Sequence, residues 1–97
     1  MNQHFVTLRA LRHGNEIDPM KEVFESAGRE YTIEAFQIGD TEKWGCAVYP
    51  LGLARGIALF EPDAEFAHGR LVPFDTDRES VAGGKAYILA EFLSLRG

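Results

Sequence analysis

Tyr31-Thr32-Ile33-Glu34-Ala35-Phe36-Gln37-Ile38 is the stretch on which the fold turns. Tyr31, Ile33 and Ala35 alternate with Thr32, Glu34, Phe36 and Ile38, which is the two-residue period of a β-strand. The polar run Gly39 to Lys43 follows and reads as a turn. Trp44-Gly45-Cys46-Ala47-Val48-Tyr49 then forms a second strand, stopped by Pro50. Two strands joined by a short polar turn make an antiparallel hairpin. One face of that hairpin needs a cover.

The C-terminal segment supplies it. Thr76-Asp77-Arg78-Glu79 matches the capping box, in which Thr76 accepts from the Glu79 amide and Glu79 reaches back to the Thr76 amide. Beyond it, Val81, Ala82, Ala86, Ile88, Leu89, Phe92, Leu93 and Leu95 form a broad apolar stripe at helical spacing. A helix beginning near Asp77 is predicted to pack across the sheet.

Between hairpin and helix the signals are shorter. Ile57 to Phe60 reads as a third strand, Asp63 to Gly69 as loop or one helical turn, and Arg70 to Phe74 as a short strand or an extended lead-in, an edge element because of Pro73. Upstream, residues 18–28 conflict. Asp18-Pro19 is a good cap and first turn, and Met20, Val23, Phe24 and Ala27 recur at helical spacing. The rival is a strand, Lys21 to Ser26, which would set Phe24 opposite Tyr31 but Glu25 opposite Glu30. Local physics favours the helix. Residues 1–19 fit an edge strand, a short helix or an arm, broken at His13-Gly14-Asn15; Met20 as an alternative start would make them an extension. The expected fold is α+β: one domain over 1–97, with three to four antiparallel strands and a C-terminal helix across one face.

Composition narrows function by exclusion. Ninety-seven residues make one thin-cored domain, and 45% apolar content is that of a globular chain. A formal charge of −5 opposes general phosphate-backbone binding. The single cysteine, Cys46, precludes an internal disulfide and suits a reducing cytoplasm. No signal peptide or run of membrane-spanning length is visible.

Motifs with chemistry in them are weak. Gly83-Gly84-Lys85 suggests a phosphate loop, but Glu79 stands where the first glycine belongs and Ala86 where Ser or Thr does. The two glycines instead cost a helix about 1 kcal/mol each, which implies close packing against a sheet or a second chain. Gly83 and Gly84 are therefore the candidate interface. Asp63, Glu65 and His68 have the donor types of a zinc or iron site, against the plainer reading of a solvated acidic loop. His4 and His13 have no carboxylate at orienting distance in sequence. Cys46 has no evident base and reads as a structural thiol. Arg9, Arg12 and His13 form a small basic group, and Tyr31, Phe36, Trp44 and Tyr49 could stack on bases if they were not core.

The pieces Gly28 to Ala35, Trp44 to Pro50 and Phe74 to Glu79 resemble, in layout, small bacterial proteins of unassigned activity. These have a short strand, a G-x-x-Y strand, a Trp-containing strand and one closing helix. The resemblance implies that 21–26 is a strand and implies no activity. The expectation is a non-enzymatic protein-interaction module with no cofactor, either self-associating or bound to a protein partner. The alternatives are a nucleic-acid-binding sheet, disfavoured by charge, and a small metal-dependent enzyme using the 63–68 loop.

Overall fold

The computed structural model describes residues 6–41, 43–60, 66–70 and 78–95, without the side chains of His13, Asp18, Pro19, Arg78 and Glu79. Among them the order is β1 (Arg9–His13), β2 (Glu16–Ser26), β3 (Arg29–Gln37), β4 (Trp44–Pro50), α1 (Gly56–Phe60), β5 (His68–Arg70) and α2 (Arg78–Leu95). The strands form one antiparallel sheet in the order β1-β2-β3-β4-β5. The α+β class and the closing helix are as expected. The described residues alone give five strands, more than the three to four expected.

The choice left open over 19–27 falls to the strand, as the resemblance implies for 21–26 and against the local helix signal, in the register weighed for it: Phe24 faces Tyr31 and Glu25 faces Glu30. Two effects decide it. As a strand, Val23 and Phe24 point to opposite faces and both are buried, whereas a helix would bury one side only. The Glu25–Glu30 repulsion is offset by Arg9, whose Nη2 lies 3.0 Å from Glu30 Oε2. Pro19 falls where the β1–β2 register jumps, from Ala10 opposite Glu22 to Leu11 opposite Asp18. At such an irregularity its missing N–H breaks no ladder. The turn after β2 carries Ala27 and Gly28 at φ 52° and 78°, the left-handed pair that matches strand twist.

Ile57 to Phe60 is also corrected, from strand to the short helix α1. Ile57 N donates to Ala54 O at 3.2 Å and Ala58 N to Arg55 O at 3.0 Å, starting a helical turn. A four-residue apolar run fits either period. The strand beside β4 is instead His68–Arg70, inside and just beyond the expected loop. Thr76 and Asp77 of the capping box lie outside the described residues; α2 begins at Arg78, immediately after them.

Both sheet faces are covered, so Tyr31 to Phe36 are all buried rather than alternately so. On one face Phe24, Tyr31, Ile33, Cys46 and Val48 pack with Ile88, Phe92 and Leu93 of α2. The rings of Phe24, Tyr31 and Phe92 meet there at 5.0 to 6.2 Å, a spacing that adds to area burial. On the other face Phe36, Ala47 and Tyr49 pack with Ala58 and Ala67, flanked by Ile57, Leu59 and Phe66. No described helix is long and apolar enough to cross a membrane.

Candidate functional site

The outer face of α2 carries the most unusual surface. Val81, Lys85, Ile88, Phe92 and Leu93 are buried toward the sheet. Ala82, Gly83, Ala86, Tyr87, Ala90, Ser94 and Leu95 are exposed. Part of the stripe that sequence periodicity assigned to one buried side, namely Ala82, Ala86 and Leu95, thus faces outward. From Ser80 to Leu95 the charged residues are Lys85 and Glu91, and both turn inward. Lys85 Nζ lies 2.5 Å from Glu22 Oε1 on β2. Glu91 Oε1 accepts from Arg70 Nε and contacts His68 Nε2, both at 3.0 Å, on β5. An amphipathic helix ordinarily places its charges outside. Here ion pairs tie α2 to β2 and to β5 across one face of the sheet, and among the described side chains the solvent face is left with small residues, a serine, Leu95 and one ring, Tyr87, 52% exposed.

Gly83 and Gly84 divide across this geometry. Gly83 is exposed, and a Cβ built on it would meet nothing within 4 Å. Of the two neighbours expected for the pair, a sheet or a second chain, nothing in the described residues approaches Gly83. Gly84 is half-buried. The glycines that packing does demand are elsewhere. A Cβ on Gly69 would lie 2.9 Å from that of Ala47, and one on Gly45 would lie 3.0 Å from the Phe36 ring and from Arg70 O.

The metal reading keeps one described member. Asp63 and Glu65 lie outside the described residues, and His68 is engaged by Glu91. Among the described residues no three His, Cys, Asp or Glu side chains gather as a metal would require. Cys46 is wholly buried, and that burial pushes its thiol up to about 12, so it is no nucleophile near neutral pH. Of the basic group, Arg9 is paired with Glu30 and Arg12 is exposed. His4 lies outside the described residues. The aromatics considered for base stacking are spent in the two cores: Tyr31, Phe36 and Tyr49 are buried and Trp44 is half-buried.

A second polar constellation was not legible in sequence. Glu34, on the α1 face, accepts from Tyr49 Oη at 2.7 Å and from Arg55 Nη1 at 2.9 Å. The Arg55 guanidinium carbon also lies 4.1 Å from the centre of the Phe36 ring. Each member has a partner, so the group serves as a latch holding the 51–55 loop to the sheet. The sequence matches no family model, and no curated protein or solved structure matches it either.

Proposed function

We propose that this chain is a protein-interaction module that self-associates through the outer face of α2. The observation that carries the reading is an 18-residue helix whose described charges, Lys85 and Glu91, face its own sheet, while its exposed face over the described side chains from Ser80 to Leu95 is uncharged. A helix that is apolar on both sides is expected to be covered on both. A second copy fits because the face is self-complementary. In an antiparallel two-fold pairing, Tyr87 of each copy settles over Gly83 of the other, a ring into a hollow with no Cβ. Among the described residues of that face, neither copy brings a charge that the other would have to desolvate. One helix face is a small interface, so association is concentration-dependent and not obligate.

Sedimentation equilibrium from about 1 μM to about 1 mM tests the reading across the range of weak protein affinities. The wild type is expected to pass from monomer to dimer within it. Ala86→Glu and Tyr87→Lys, both at exposed positions, are expected to remain monomeric and folded. A wild type that stays monomeric throughout would refute self-association, and dimers unaffected by both variants would move the interface elsewhere.

A further inference from the structure

An open hollow of about 560 Å³ lies at the far end of the sheet from the β3–β4 turn. It is lined by Gly28 of the β2–β3 turn, by Arg29 and Glu30 at the start of β3, by Pro50 at the end of β4 and by Leu51 and Leu53 beyond it. The loop side is held in place. Leu51 N donates to Glu30 O at 3.1 Å, Leu53 N donates to Pro50 O at 3.1 Å, and Gly52 takes φ 91° between them. Despite that anchoring, Leu51 and Leu53 are 43% and 42% exposed. They are apolar side chains at the rim that stay partly exposed.

The cation beside them is held in an unusual way. Arg9, Arg55, Arg70 and Lys85 each have a carboxylate at hydrogen-bond distance. Arg29 has none among the described residues. Its guanidinium carbon lies 5.0 Å from the Phe66 ring centre and 6.0 Å from that of Tyr31. Rings engage the flat face of a guanidinium and leave its N–H edge free to donate in plane. The other charged group in the lining, Glu30, is already engaged by Arg9 at 3.0 Å. The hollow therefore offers a cation with no carboxylate partner among the described residues, held beside two rings and next to two exposed leucines.

We propose that this hollow binds a small organic monocarboxylate with an apolar tail. The carboxylate accepts from the N–H edge of Arg29, a charge-assisted pair in the geometry that suits guanidinium. The tail lies over Leu51 and Leu53. A single cation with Glu30 nearby suits one negative charge better than the two of a phosphate. The site is independent of the outer face of α2, so either proposal can fail without the other.

Amide chemical shifts of the labelled protein, titrated with octanoate, test it. Saturable shifts at Gly28, Arg29, Leu51 and Leu53 are expected. Acetate, which lacks the tail, and octylamine, which carries the opposite charge, are expected to bind at least about tenfold more weakly. Arg29→Gln should weaken octanoate by about tenfold or more, and Leu53→Ser by a smaller factor. Both positions are exposed, and the amide spectrum of each variant reports directly whether it folds. The proposal is overturned if the shifts do not saturate, if octylamine binds as well as octanoate, or if Arg29→Gln leaves the affinity unchanged. Shifts on Ala86, Tyr87 and Ala90 alone would also overturn it, by showing that the tail adheres to the apolar helix face instead.

Discussion

Burial in the sheet–helix core raises the Cys46 thiol from its ordinary 9.0 to about 12, the Ala47 backbone contact and the charge of Lys85 opposing only in part. The sign of the consequence follows from proton counting. Below about pH 9 both folded and unfolded chains keep the proton, and the thiol adds no pH dependence. Between 9 and about 12 the unfolded chain releases it and the folded chain does not, so stability falls as pH rises, by about 1.4 kcal/mol per unit. Denaturant melts of wild type and Cys46→Ala across that range should diverge with this slope, and parallel curves would contradict the burial. At about pH 8 the native thiol should also resist a disulfide reagent that labels the unfolded chain at once. The structural role of Cys46 was legible in sequence from its place in an alternating strand. The Glu34–Tyr49–Arg55 latch was not, because its members are joined only by the β3–β4 register and the loop after Pro50. No spacing rule brings Glu34 and Arg55 together.

At the scale of elements, α2 tests two ideas about glycine and one about charge. Gly83 lies in a helix interior with open space around it, so Gly83→Ala should stabilise the monomer by about 1 kcal/mol. If Tyr87 of a second copy occupies that space, the same substitution should weaken dimerisation. Opposite signs in melting and in sedimentation are therefore the expected pair of results. Gly69→Ala should destabilise by about 1–3 kcal/mol, since the new methyl meets Ala47 at 2.9 Å and neither strand can yield without disturbing the ladder. The anchor between α2 and β2 is a carboxylate–ammonium pair whose lysine side chain is only 10% exposed. Lys85→Met alone should cost about 3 kcal/mol by stranding Glu22, and much of that should return in the double variant with Glu22→Leu. A double variant no more stable than the single would mean that the loss comes from packing and not from the stranded charge. The sequence announced α2 as an element through its cap and apolar repeat. Which apolar positions face outward was hidden, because alanine suits either side and Lys85 turns inward against the habit of its residue type. The reading of β2 failed locally for a related reason. Asp18-Pro19 is a genuine helix-start signal, overridden here by pairing on both sides, with β1 and with β3.

The molecule as a whole carries a formal charge of −5 and a pI near 5.1, while its proposed docking face carries no charged side chain among the described residues. Two copies approaching at neutral pH therefore repel through charges that lie away from the contact, and the contact itself has no ion pair to weaken. This fixes the direction of two dependences. Lowering the pH from about 8 toward the pI removes the long-range repulsion and should strengthen dimerisation. Raising salt at about pH 8 from roughly 20 mM to roughly 500 mM shortens the screening length from tens of ångströms to a few, and should strengthen it too. An interface built on surface ion pairs, such as one through Arg9 and Glu30, would respond to salt in the opposite direction, losing affinity as its pairs are screened. Ala86→Glu separates a general loss of repulsion from a specific face. It adds one negative charge at the centre of the contact, so the variant should remain monomeric near the pI, where its overall charge also vanishes. Light scattering of both proteins over that grid of pH and salt measures it. A wild type whose dimer weakens with added salt would place the interface on the charged surface and away from α2.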